Sequence, residues 1–149
     1  MEEIILKAKV DLLCKQLRET GSIQVSVSGN SMFPFMKNGD MLLVEPIKIK
    51  DVFLGEVVVV YAHNNLYCHR VAFKNPKFIQ TKADALVLWD VPANQEDLIG
   101  KVVGRVKKGN IIRIDNGWLR IAGILILGFS FLAAPLYIPL RMIKRLFRK

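Results

Sequence analysis

The chain has 149 residues, with 22 Lys and Arg against 13 Asp and Glu for a formal net charge of +9, and 52% of its residues are hydrophobic. That length makes one domain with a real core and leaves little room for a second, while a basic excess on so apolar a chain points to an anionic lipid surface. A nucleic-acid partner is not expected, because the aromatic residues are not interleaved with Lys and Arg as a base-stacking platform requires.

Residues 1–22 read as an amphipathic helix. Ile5, Ala8, Leu12, Leu13 and Leu17 recur near helical spacing, and Gly21 supplies a stop. This stripe is expected to cover the core of the domain, with a membrane or partner surface as the alternative use. No secretion signal is read here, since Glu2 and Glu3 stand at the start and Lys or Asp interrupts every apolar run. Cys14 falls in this helix and Cys68 in a strand-like run. They form no CxxC pair, so both are expected to be free structural thiols.

Residues 23–117 are patterned as strands and turns. "SIQVSVSG" alternates Ile23, Val25 and Val27, "DMLLVEP" follows a Gly-Asp turn, and "GEVVVVYAHNNLYCHRVAF" holds two strand-like runs around a His63-Asn64-Asn65 turn. "KFIQTKAD", "IGKVVGRV" and "GNIIRID" follow, each short, apolar and bounded by turn residues. Many short strands punctuated this way predict a mostly antiparallel, barrel-like sheet.

In residues 118–149 the pattern changes. The run 121–140 carries no charged side chain, and at about 1.5 Å per residue a helix of that length just reaches across a hydrocarbon core of about 30 Å. Pro135 and Pro139 would kink it, and Gly123 and Gly128 weaken it, so a two-part interfacial element is an equal expectation to a span. The closing "RMIKRLFRK" interleaves basic and apolar residues, as a helix lying on anionic headgroups does. Lys and Arg stand on both sides of the apolar run, so charge asymmetry does not choose its orientation.

The stretch "SGNSMFP", residues 28–34, is a candidate nucleophile turn. A serine that attacks needs an exposed hydroxyl beside N–H groups able to receive an oxyanion, and glycine near it permits the close approach. The serine also needs a base. His69 lies in a strand-like run and His63 in a turn, and Asp84 or Asp90 in "TKADALVLWD" offers the carboxylate that orients the base. With two histidines and no carboxylate cluster no metal site is expected, and no phosphate-binding glycine loop is present either.

"SGNSMFPFMKNGD", "GEVVVVY", "HRV" and "TKAD" with a second Asp six positions on, in that order over about residues 23 to 106, resemble the signal peptidase I family. The likeness is to its archaeal and endoplasmic-reticulum branch, where histidine replaces the lysine base of most bacterial members. The resemblance implies a signal peptidase/LexA-type sheet and a serine endopeptidase with no cofactor. It makes Ser31 the nucleophile, His69 the general base and Asp90, in preference to Asp84, the partner of His69. The backbone N–H of Ser31 would hold the oxyanion, with Ser28, Gly29 and Asn30 in support. Met32, Phe33 and Pro34 would form the substrate-binding side of the turn, although Met32 and Phe33 can equally be core. The implied substrates are extended precursor polypeptides with small residues before the cut, cleaved at a membrane surface, so that lipid is the second partner.

Several positions depart from the family pattern. Ala83 stands for a usual Gly, Glu56 for a usual Asp, and Ala85 and Leu86 for asparagines. The family's membrane span is N-terminal, whereas the apolar run here is C-terminal. Three alternatives stand beside this reading: a LexA-type self-cleaving protease, whose base is lysine; a catalytically idle, membrane-attached peptide-binding module; and a processing peptidase dedicated to one cargo peptide.

Overall fold

The computed structural model describes residues 1–86, 88–107, 109–114, 121–126 and 128. Helix α1 (Glu2–Thr20) opens the chain and ends where Gly21 turns left-handed, at φ 74°, with its N–H donating to the Leu17 carbonyl at 3.0 Å. The strands follow as β1 (Ile23–Ser26), β2 (Met41–Glu45), β3 (Val57–Ala62), β4 (Asn65–Lys74), β5 (Phe78–Lys82), β6 (Ala93–Asn94), β7 (Leu98–Lys107) and β8 (Asn110–Arg113). A short 3-10 turn, Ile49–Asp51, buries Ile49 between β2 and β3.

All pairings are antiparallel, in the order β1-β2-β7-β3-β4-β5-β6, with β8 joined to β7. The long β7 organises the sheet. One of its edges carries β2, while the other carries β3 along its first half and β8 along its second. Register shifts at Leu43/Val44, Val59/Val60 and Val71/Phe73 bend the strands. The sheet nevertheless does not close, which corrects the barrel-like expectation. Its outer strands, β1 of four residues and β6 of two, are short and lie at opposite ends of the pairing order. The turn read at His63-Asn64 is a tight hairpin between β3 and β4, with both residues at positive φ, 51° and 59°.

Two apolar clusters form, one on each side of the sheet. The first collects Ile23, Leu42, Val44, Val57, Val59 and Val102 beneath α1, and the second collects Val58, Val60, Val71 and Ile79 with Ile49 and Val52. Alternation along β3 puts Val57 and Val59 in one and Val58 and Val60 in the other. Helix α1 covers the first cluster with a different stripe from the one expected: Val10 and Leu17 are buried and Leu6, Leu13 and Cys14 pack beside them. Ile5, Ala8 and Leu12 face outward instead. At about 3.6 residues per turn the positions 6, 10, 13, 14 and 17 fall within an arc of about 100°, whereas 5, 8, 12, 13 and 17 spread over about 180°. Leu13 and Leu17 belong to both series, which is why the sequence does not choose between them.

Of the expected membrane segment, only residues 121–126 and 128 are described, and 121–126 are helical. Pro135, Pro139 and the basic tail lie outside the described residues. Among the described residues no helix is long and apolar enough to cross a membrane.

Candidate active site

The loop between β1 and β2 carries Ser31. Gly29 and Gly39, at φ 90° and 86°, reverse the chain at each end of it. Crossed bonds close its neck: Val27 N–H donates to the Asp40 carbonyl at 2.8 Å, and Gly39 N–H returns to the Val27 carbonyl at 2.9 Å. Side chains brace the interior, with Gly29 N–H on Asn38 Oδ1 at 3.1 Å and Asn38 N–H on Asn30 Oδ1 at 3.2 Å. Met36 N–H reaches the Met32 carbonyl at 3.0 Å. That single helical turn directs both methionines, 2% and 3% exposed, into the first apolar cluster. Burying two such side chains contributes about 1.5–3 kcal/mol each, so the loop is anchored from below. Ala85 N–H fixes it from the side by donating to the Ser31 carbonyl at 2.9 Å.

His69 sits on β4 opposite Val58, and the residue is buried, with a side chain 11% exposed. Its Nε2 lies 3.2 Å from Ser31 Oγ and its Nδ1 lies 2.7 Å from Asp90 Oδ2. A carboxylate on Nδ1 makes that nitrogen the N–H donor, which leaves Nε2 free to accept the serine hydroxyl proton. Three side chains from the β1–β2 loop, β4 and the stretch after β5 therefore form one hydrogen-bonded line. Tyr67, two residues before His69 on the same strand, packs its ring against the imidazole with centroids 5.1 Å apart. Burial, reinforced by the charge of Asp90, raises the Tyr67 phenol to about 12, so it stays a neutral wall.

Asp84 is not part of that line. It accepts Arg70 Nε at 2.8 Å and Nη2 at 2.6 Å, a two-pronged pair whose side chains are 6% and 1% exposed. The reason is alternation: His69 and Arg70 are adjacent on β4, so they face opposite sides of the sheet and take different carboxylates. Arg70 Nη1 also donates to the Gly55 carbonyl at 2.8 Å, and its guanidinium lies 5.5 Å from the centre of the Phe35 ring. Gly123 sits so close that a Cβ there would lie 2.7 Å from Arg70 Nη1.

The other expected residues divide. Ser28 and Met32 join Ser31 and His69 in lining an apolar cavity of about 200 Å³, which Leu13 of α1 also lines. Phe33, 56% exposed, and Pro34, joined to it by a cis peptide bond, face outward. Gly29 N–H and Asn30 Oδ1 serve the loop, and Phe33 N–H takes the Asn30 carbonyl at 3.1 Å. The Ala85 position, counted as a departure, contributes through its backbone alone. Glu56, the other departure, is buried, accepts Phe53 N–H at 3.0 Å and pairs with Lys101 at 3.4 Å.

Sequence reading passed over Arg70, Thr81, Tyr67 and Met36. A charged residue inside the apolar run "CHRVAF" marks Arg70, and strand alternation with Ile79 marks Thr81 as inward-facing.

A family model described as Peptidase S24-like matches residues 1–103. The chain belongs to the Peptidase S24-like family. That is a serine peptidase-type family within the LexA/signal peptidase-like superfamily, and the match does not single out signal peptidase I. No curated protein matches the chain. The Peptidase S24-like match takes in the Ser31 loop, His69 and Asp90, and ends inside β7.

Proposed function

We propose that this protein is a membrane-associated serine endopeptidase that cleaves leader or signal peptides from precursor polypeptides. The observation that carries the reading is the unbroken line from Ser31 Oγ through His69 to Asp90, at 3.2 and 2.7 Å. Ser31 attacks the peptide carbonyl while His69 Nε2 takes its proton, and the imidazolium that forms is stabilised by Asp90. His69 then gives the proton to the leaving amine, which departs and leaves an ester on Ser31. Water, deprotonated by the same nitrogen, hydrolyses the ester and restores the hydroxyl. The Ser31 N–H is the oxyanion donor in this scheme.

A lipid setting is supported by the side chains near this line. Phe33, Phe35, Phe53, Leu54, Leu86 and Leu88 are all large, apolar and exposed. They belong to the Ser31 loop, the turn beside Gly55 and the stretch after Asp84, segments tied together through Arg70 and the Ala85–Ser31 bond. Such a patch beside a basic chain suits an anionic bilayer surface, where a precursor's apolar leader also resides.

The test is cleavage of a membrane-reconstituted panel of precursor peptides by the intact protein, beside Ser31→Ala and His69→Ala at matched folding. Wild-type cleavage abolished by both substitutions is expected. A wild type that cuts no peptide, or variants that cut equally well, would overturn the reading. A Ser31-dependent cut in the protein's own chain, with none in any peptide, would replace it by self-processing, an activity found within this family.

A further inference from the structure

We propose that Thr81 is a positioning residue for this reaction, holding the Asp90 carboxylate in the one place from which it can orient His69; the inference rests on the serine peptidase reading above.

Asp90 lies beyond the end of β5, outside any strand of the sheet, and its side chain is 22% exposed. Nothing in such a location stops a carboxylate from turning toward water, where it would be better solvated. Three bonds oppose the turn. Asp90 N–H donates to the Thr81 carbonyl at 2.9 Å, Gln80 Nε2 donates to the Asp90 carbonyl at 3.0 Å, and both fix the backbone only. The third fixes the side chain. Thr81 Oγ1 donates to Asp90 Oδ2 at 2.6 Å, the same oxygen that receives His69 Nδ1 at 2.7 Å.

The donor is itself rigid. Thr81 is 1% exposed and pairs with Val71 in the β4–β5 register, two residues along from His69. A branched side chain in a strand has a restricted first torsion angle, so the hydroxyl is aimed before the carboxylate arrives. Its only proton goes to Asp90, which makes the carboxylate the acceptor in both bonds and keeps the imidazole Nδ1 as the donor. One oxygen thus receives two donors, and the hydroxyl sets the carboxylate orientation that Nδ1–H then follows.

If the hydroxyl only filled its own need for a partner, exchange for an isosteric apolar group would cost some stability through the donor Asp90 loses and leave the rate close to unchanged. If it positions Asp90, the exchange mis-aims His69, and small errors of aim cost rate more than affinity. The two ideas separate in Thr81→Val and Thr81→Ser, prepared as the full chain and compared by thermal unfolding. The cleavage arm uses the panel peptide that the wild type cuts fastest. The second arm reads the low-field His69 Nδ1–H resonance of the ligand-free, histidine-labelled protein, with His63→Gln to assign it.

Thr81→Val is expected to lower kcat by roughly 10- to 100-fold at nearly constant KM and to broaden or shift the Nδ1–H resonance upfield. Thr81→Ser should keep the resonance and most of kcat. A valine variant that holds kcat within about twofold of wild type and leaves the resonance in place would overturn the proposal. So would a serine variant as impaired as the valine one, because the methyl rather than the hydroxyl would then matter. Should Thr81→Val fail to fold, Thr81→Ala takes its place under the same criteria. The resonance needs no substrate. A wild type that cuts nothing would therefore count against the peptidase reading, and the resonance alone would still decide Thr81.

Discussion

The two sides of β4 use the same kinds of residue for different ends. On one, His69 meets Asp90 at 2.7 Å with side chains 11% and 22% exposed; on the other, Arg70 meets Asp84 at 2.6 Å with side chains 6% and 1% exposed. Both are a basic group of one strand bonded to an aspartate a few residues past β5. The first pair is left partly open and leads on to Ser31. The second is enclosed, with Arg70 Nη1 donating to the Gly55 carbonyl and the guanidinium lying over the face of Phe35. An enclosed ion pair with no hydroxyl at its far end has no group to which it can pass a proton, so it fastens. A partly open pair with a hydroxyl at its far end can move one. The difference lies in what surrounds each pair, and the residue types alone do not announce it.

The strongest way to break this contrast is to exchange the two aspartates for asparagine in turn. Asp90→Asn leaves a neutral side chain of the same shape, which cannot hold the working tautomer of His69, and kcat should fall about 10⁴-fold. The thermal midpoint should hardly move. Asp84→Asn instead strands the Arg70 guanidinium without its counter-charge, at a cost of about 3–5 kcal/mol and a midpoint lowered by roughly 10 °C or more. Replacing both partners together, Arg70→Met with Asp84→Leu, should recover much of that loss, because no buried charge is then left alone. Calorimetry and peptide cleavage on the same samples check all three variants. A stability loss at Asp90 with none at Asp84 would reverse the assignment of the two faces.

How much of this the sequence discloses follows from the range over which each feature is encoded. Strand identity is local. The alternation in "SIQVSV" and the apolar "GEVVVVY" lie within each segment, and the hairpin at His63-Asn64 follows from residues that tolerate positive φ. The Ser31 turn is legible for the same reason, since Gly29, Gly39 and Asp40 bring the chain back on itself by local bonds. Sheet closure is not local; it depends on whether β1 and β6 can meet, and nothing inside either strand says so. The face of α1 is a near tie between two series that share Leu13 and Leu17, decided only by the cluster beneath. Asp84 and Asp90 were separable in principle, because His69 and Arg70 must face opposite ways. Which aspartate lies on which side depends on the path after β5, and that path is long-range information.

The strand between the two faces can be probed without altering it, through a half-buried thiol that lines the cavity beside Ser31 and His69. Cys68, one alternation before Arg70 on β4, has its thiol pushed up to about 12 by burial, against the opposing pull of the Arg70 charge. A raised thiol pKa means less thiolate at any pH below it. Alkylation at pH 8 should therefore run at least about tenfold slower than in the unfolded chain and accelerate as the pH climbs. Mass spectrometry of iodoacetamide-treated protein, with and without denaturant, reads this directly. Fast modification of Cys68 in the folded chain at pH 8 would mean that this half-buried thiol, which lines the same cavity as Ser31 and His69, is open to solvent there.

The smallest expected effect sits where the two faces meet. Phe35 follows Ser31 in the same loop, yet its ring lies against Arg70 on the opposite side of the strand from His69, and it is 38% exposed. Phe35→Leu keeps the apolar bulk and removes the ring face that attracts the guanidinium, an interaction of about 0.5–1 kcal/mol in so open a position. Stability should drop by no more than that. Cleavage should change by less than about threefold, because Met32, Met36 and the Ala85–Ser31 bond still hold the loop. Paired denaturant titration and cleavage kinetics can resolve the two numbers. Should cleavage instead fall tenfold or more with stability intact, the enclosed pair would be steering Ser31 through Phe35. The two sides of β4 would then act as one device, with the fastening on one face setting the chemistry on the other.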